Sequence, residues 1–335
     1  MFIIKEKIEY QLQGCRFEWK SVMIFVSRIS LEVDRLISKC PKMKTSKPHF
    51  LQKFDTDSKI NFNPIQRSKK TKMKYIPILL ILCTSTLLGQ DRFQNIYDSL
   101  ELEGSTTFYD YKNKQWILTD EHDAEIPTLP ASTFKIPNSL MLLEQKVVKD
   151  ENEVYQWDGE PKSHFGFPFK VWEQDTNLKT AYKNSTIWFY VKASQKIKRS
   201  TYKNLLNNIN YGNNELSEAG DDFWNYGNFA ISPKNQVEFL IDLYENKLPF
   251  SQENMEKVKE LMISEHKENY TFRDKTGWTR TNGKDIGWWV GYLTTKDNVY
   301  FFATRLTKAI NEENPNFFSG RKQVTQQILK ELNAY

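Results

Sequence analysis

The chain has 335 residues, 39% hydrophobic and 27% charged, with 9 Trp, 16 Tyr and 22 Phe. This is an ordinary globular balance with material for a sizeable core. The net charge of +5 is misleading, because residues 1–72 hold 16 Lys+Arg against 7 Asp+Glu, while residues 73–335 hold 31 against 35. A protein that grips nucleic acid carries its basic excess on the folded domain, so the composition argues against such a partner.

The leading segment has a boundary. Lys69, Lys70, Lys72 and Lys74 precede an apolar run from Tyr75 to Leu88, and Gly89 follows. A cationic flank, a short apolar stretch and a small residue make a secretory signal. The run is 14 residues long, and a bilayer span needs about 20. The reading is therefore residues 1–72 as an upstream extension, 73–89 as a signal peptide and 90–335 as the catalytic domain. The expected location is periplasmic or secreted, without stable membrane insertion. A lipid anchor at Cys83 is the weaker reading, because Leu82 is large where a small residue should precede the cysteine. The three cysteines, Cys15, Cys40 and Cys83, all fall at or before the signal, so no disulfide framework is expected. His122, His164 and His266 lie far apart and show no ligand spacing, which argues against a zinc site.

From Gln90 onward the elements follow in order. Ser105–Tyr111 and Gln115–Thr119 read as strands, rich in aromatic and β-branched residues and joined by Lys112-Asn113-Lys114. Ile136–Leu143 reads as the start of an apolar helix. Ser232–Glu245 reads as a helix with Ser232 as N-cap, Pro233 first, and Val237, Leu240, Ile241 and Tyr244 on one face. Gly287–Thr294 and Val299–Leu306 are a second strand pair, around Lys296-Asp297-Asn298. Arg321–Leu332 closes the chain as a helix, with Val324, Ile328 and Leu332 in register. Strands at both ends with helices between predict an α/β (α+β) fold. A central antiparallel sheet is built from both termini and flanked by helices, with a helical subdomain. The cleft between sheet and subdomain is the expected site.

Two short stretches carry chemistry. Ser132 and Lys135, in PASTFKIPNSL, stand three residues apart at a helix start and would meet side by side. A hydroxyl needs a base before it attacks, yet a free lysine titrates near about 10.4. Three further S-x-x-K matches, at Ser200, Ser264 and Ser319, lie in charged or mixed polar sequence. Only Ser132 joins a Pro130-Ala131 turn to an apolar helix. Lys275-Thr276-Gly277 occurs once, before Trp278. Lys275 offers a fixed positive charge and Thr276 a hydroxyl. Gly277 lets a substrate come close to the strand backbone; the plain structural alternative is a strand with a glycine bulge. The amides of Ser132 and Trp278 could flank a developing oxyanion.

The ordered set STFK, Ser185-Thr186-Ile187 before Trp-x-Tyr, Tyr211-Gly212-Asn213, Phe223-Trp224, ISPKNQVEFL, KTGW and GWWVGY resembles the class D β-lactamases. The resemblance runs from about Thr107 to the C-terminus. S-x-x-K with K-T-G also marks the wider penicillin-binding superfamily. The resemblance implies an acyl-enzyme on Ser132 that opens the β-lactam amide of penicillins. It implies that Lys135 reacts with carbon dioxide, drawn from bicarbonate, to give N6-carboxylysine, the general base. No metal or organic cofactor is implied. An apolar pocket makes this coherent, since it depresses the lysine and frees the neutral amine. Trp224 would donate its indole N–H to the carbamate, and Ser185 would relay a proton to the departing nitrogen. Arg321 falls at the substrate-carboxylate position, with Arg305 as rival. Thr276, Gly277, Trp278, Ile187, Tyr211 and Asn213 complete the substrate-binding set. A second Tyr226-Gly227-Asn228 competes with Asn213. Ile187 stands where many relatives have valine, and Asn225 and Tyr226 alter the wall beside Trp224. The partners expected are β-lactam antibiotics, and a homodimer is allowed. The alternatives are a non-hydrolytic β-lactam sensor, a penicillin-binding protein, and a binding module without activity.

Overall fold

A computed structural model describes residues 92–335; the readings for residues 1–72, 73–89 and Cys83 lie outside them. The chain opens with a helix over residues 92–99 and then forms β1 (Glu103–Asp110) and β2 (Gln115–Leu118). The last third supplies β5 (Ile263–His266), β6 (Tyr270–Thr281), β7 (Lys284–Thr295) and β8 (Val299–Ala309). These six strands form one antiparallel sheet in the order β2-β1-β8-β7-β6-β5. Both ends of the described chain therefore build the sheet, as the strand pattern predicts. The short hairpin β3 (Ser163–His164) and β4 (Phe167–Pro168) stands apart from it.

Side chains alternate across a strand, so a sheet covered on both sides needs apolar residues at both phases. The run GWWVGYLT meets that need. Trp288, Val290 and Tyr292 enter one core with Phe301 and Ala303 of β8. Trp289 and Leu293 enter the other with Phe302 and Leu306. The first core packs the central helices; the second packs residues 92–99 and the closing helix Phe317–Glu331. That closing helix begins four residues earlier than predicted. Arg321 therefore sits a full turn inside it.

The helices between the strands follow their caps. The Ser232 side chain accepts from the Asn235 N–H, and Pro233 takes the first helical position of Pro233–Tyr244. Asn177 caps Leu178–Asn184 in the same way. The Ser132 segment is tighter than predicted. Ala131–Phe134 is a 3-10 turn that feeds the α-helix Lys135–Glu144. In a 3-10 turn residues i and i+3 eclipse, which brings Ser132 directly over Lys135. The β6–β7 register runs unbroken from Tyr270↔Thr295 to Thr281↔Lys284, so the K-T-G stretch has no bulge against β7; the one register shift beside β6 lies in β5, between Ile263 and Glu265.

Candidate active site

The 3-10 turn, the end of helix Leu178–Asn184, strand β6 and the closing helix meet around a cleft of about 370 Å³. Seven residues singled out in the sequence line it: Ser132, Ser185, Ile187, Thr276, Gly277, Trp278 and Arg321. Lys135 lies beneath Ser132, 1% exposed, and its Nζ donates to Ser132 Oγ at 3.0 Å. Its Nζ also stands 5.0 Å from the centroid of the Tyr190 ring. Burial pushes the Lys135 amine well below the ordinary lysine range, and the nearby Lys275 charge pushes the same way; Asp222 opposes them. This desolvation is the physical means by which a lysine beside Ser132 can become basic.

Lys275 is buried on β6, with Nζ donating to the Thr276 carbonyl at 3.1 Å. Desolvation lowers it to about 7; Asp274 holds it up, while Arg321 and Lys322 press it down. The sequence reading made it a fixed charge. Its burial instead poises it near neutrality, where it can hold or release a proton. Ser185 ends the Leu178–Asn184 helix in the left-handed region, at φ 57° and ψ 35°. This conformation is uncommon for a serine and occurs at sites where the surroundings hold it.

Arg321 is nine-tenths buried and anchored by its backbone partners. Its Nη1 donates to the Gly277 carbonyl at 2.6 Å and the Trp288 carbonyl at 3.3 Å; Nε donates to Phe318 at 3.0 Å. This is no solvated helix-start charge. The rival Arg305 is committed elsewhere: it bonds the Ile126 carbonyl at 2.6 Å and pairs with the Asp123 carboxylate.

Gly277 differs in its reason. A Cβ there would stand 3.0 Å from the Pro130 carbonyl oxygen, 3.1 Å from Thr133 Cγ2 and 3.3 Å from Ala131 Cβ. The glycine makes room for the nucleophile's own turn, pressed against β6, rather than for a substrate alone. Ala131 takes φ 53° in that turn.

Trp224 is fully buried and stacks on Phe134 with centroids 5.3 Å apart at 20°. Its carbonyl accepts from the Ala131 N–H at 2.9 Å, which ties it to the Ser132 turn. Its indole Nε1–H has no hydrogen-bond partner among the described residues. A buried donor of this kind calls for an acceptor.

Tyr211 and Asn213 do not line the cleft. The Tyr211 hydroxyl donates to Gln236 at 3.0 Å, and Gln236 in turn donates to Thr133 Oγ1 at 2.8 Å, so Tyr211 braces the turn from behind. Asn213 binds the second Tyr-Gly-Asn copy, with Nδ2 donating to the Asn228 carbonyl at 2.8 Å. The other S-x-x-K serines also lie away from the cleft. Ser264 bonds Asp274, and Ser319 bonds the Asn316 carbonyl at 3.4 Å.

Four lining residues escaped the sequence reading, Phe167, Phe169, Trp172 and Phe318, and a fifth, His164, entered it only as a histidine without metal-ligand spacing. Burial lowers His164 to about 4, so its imidazole is neutral at ordinary pH. It meets Trp278 edge-on at 5.5 Å, as Phe318 does at 5.2 Å. The aromatic density of HFGFPFKVW was the available signal.

The Penicillin binding protein transpeptidase domain family matches residues 100–332. Beta-lactamase OXA-48 of Klebsiella pneumoniae is 35% identical over 229 residues, 68% of this chain and 83% of the relative. The crystal structure of a class D β-lactamase from Sebaldella termitidis is 47% identical, with a TM-score of 0.68, over 72% of this chain and 95% of that one. The FUS-1 (OXA-85) class D β-lactamase of Fusobacterium nucleatum is 34% identical, with a TM-score of 0.66 over 72% and 97%. The methicillin resistance mecR1 protein of Staphylococcus aureus is 34% identical over 233 residues, 69% of this chain and 38% of that protein. The chain belongs to the class D β-lactamases, within the penicillin-binding transpeptidase family.

Proposed function

We propose that the protein hydrolyses the β-lactam amide of penicillins through an acyl-enzyme on Ser132, with carboxylated Lys135 as general base. The observation that carries this reading is the buried Lys135 amine, 3.0 Å from Ser132 Oγ, with the unpartnered Trp224 indole stacked on the adjoining Phe134. A neutral amine adds to carbon dioxide: an N–C bond forms, one C=O opens onto oxygen, and a proton leaves to solvent. The carboxylate so added supplies the base for acylation and for the water that deacylates.

The chain's own residues do the rest. Ser132 Oγ attacks the lactam carbonyl carbon. The amides of Ser132 and Trp278 face the developing oxyanion. Ser185 and the poised Lys275 pass a proton to the departing ring nitrogen. Arg321, with Nη1 and Nε tied to backbone, holds the substrate carboxylate with its remaining donors, a role suited to a guanidinium fork. Thr276 and Trp278 line the β6 side of the substrate and Ile187 the opposite wall. Export through residues 73–89 belongs to the same proposal.

A chromogenic cephalosporin tests it. The expected result is multiple turnover, stimulated by bicarbonate, lost in Ser132→Ala and in Lys135→Ala. The likeness to mecR1 favours a second reading, a β-lactam sensor. That reading expects one stoichiometric burst without turnover.

A further inference from the structure

Next to Trp224 the site holds a second polar group without a partner. Asn225 is 0% exposed, and among the described residues neither its Oδ1 nor its Nδ2 has a hydrogen bond. Its backbone is fixed at both ends. The N–H donates to the Asp222 carbonyl at 2.8 Å, and the carbonyl accepts from Thr279 Oγ1 of β6 at 2.8 Å. Held this way, the residue is clamped between the wall and the strand. An amide buried so completely without partners is rare and calls for an explanation.

The surroundings point to Lys135. Trp224, the preceding residue, is bonded to the Ser132 turn and stacks on Phe134, the neighbour of Lys135. Asp222 lies close enough to Lys135 for its charge to favour the ammonium. Burial pushes the Asp222 carboxyl above its ordinary value, and the Asn225 side chain near it works against that shift, without a hydrogen bond of normal geometry. Three unpartnered polar atoms thus stand on two consecutive residues, the first of which packs against the segment that carries Lys135. A carboxylate offers about four acceptor positions, and a buried anion needs several donors to offset its lost hydration. One indole N–H cannot satisfy it.

We propose that Asn225 is a positioning residue whose Nδ2–H, beside the Trp224 indole N–H, donates the second hydrogen bond to the carboxylated side chain of Lys135. The inference rests on the carbamate reading above. Asn225 touches neither substrate nor the Ser132 hydroxyl in this account. It raises the affinity of the Lys135 amine for carbon dioxide and fixes the orientation of the base.

The test is Asn225→Leu in the full protein, with Asn225→Ala as a second variant if leucine misfits. Labelled 13C-bicarbonate is titrated in, and the carbamate carbon is followed by NMR. A hydrogen bond to a charged group, converted to an equilibrium constant, predicts a half-labelling concentration at least about ten-fold higher. The turnover rate recovers as bicarbonate is raised, which a merely structural defect would not do. Half-labelling within two-fold of the unaltered protein, in a folded variant, overturns the role of Asn225 and leaves the carbamate standing. No carbamate signal in the unaltered protein overturns both.

Discussion

Gly277→Ala places one methyl group where β6 meets the nucleophile's turn. The added carbon would meet three atoms of Pro130, Ala131 and Thr133 at 3.0–3.3 Å, all tighter than ordinary contact. None of them yields freely. Ala131 is already left-handed, and the Pro130 carbonyl accepts from Thr133 Oγ1 at 2.7 Å. Gln236 and Trp224 hold the turn from two further sides. Overpacking of this kind costs about 1–3 kcal/mol, or about 2–4 °C of Tm per kcal/mol in a domain of this size. The turn carries Ser132, so a shift of a few tenths of an ångström also moves the hydroxyl off the 3.0 Å contact with Lys135. A full ångström of misplacement costs about 100-fold, so about ten-fold slower acylation is expected. Thermal unfolding and burst kinetics with a chromogenic substrate measure the two effects. Unchanged Tm together with unchanged acylation would refute the account of why glycine stands at 277.

Trp224→Phe removes the indole N–H while keeping an aromatic ring against Phe134. It should let the acyl-enzyme accumulate and raise the bicarbonate needed for half-maximal turnover about ten-fold; mass spectrometry of the quenched enzyme follows the acyl adduct, and wild-type levels of it would count against the role. Arg321→Ala should raise KM for penicillins about ten-fold or more with a smaller change in kcat, the pattern of lost uniform binding. An unchanged KM would move the carboxylate site elsewhere. Stability should depend on pH in a set direction. The folded pKa values of Lys275, about 7, and of Lys135 lie below the unfolded lysine value of 10.5. From about pH 7 upward the unfolded chain therefore binds more protons than the folded protein, and stability rises with pH. Buried tyrosines such as Tyr190, held above their ordinary value by desolvation, reverse the trend once unfolded tyrosines ionise near about 10. The urea midpoint of bicarbonate-free protein should climb between about pH 7 and 9, and Lys275→Met should flatten the climb. A flat profile in the unaltered protein would contradict the burial of both lysines.

Much of this was legible in the sequence because it is local. Doubly apolar runs such as GWWVGYLT mark strands covered on both faces, and Ser232-Pro233 marks a helix start. Ser132 and Lys135 are three residues apart, so any tight turn brings them together. Other features depend on which distant element arrives. Gly277 announces that something approaches β6, but the approaching group, the Pro130–Thr133 turn, lies over 140 residues earlier. Arg305 and Arg321 are equal as charges, and only tertiary contacts commit one to Asp123 and leave the other on the cleft. Of the two Tyr-Gly-Asn copies the sequence favours the first, which precedes Phe223-Trp224, and the structure joins the two to each other. The aromatic rim was missed because β3 and β4 are two residues each, too short for a periodic signal. Asn225 stood out in sequence only as a change in the wall beside Trp224; its meaning lies in the partners it lacks.

The proposed chemistry requires that a desolvated amine at Lys135 take up carbon dioxide and become the base for Ser132. The most direct measurement is a 13C NMR spectrum of the protein equilibrated with 13C-bicarbonate. A single protein-bound carbamate resonance is expected, absent in Lys135→Ala and present in Ser132→Ala. A spectrum with no such resonance, from protein that still turns over substrate, would contradict it.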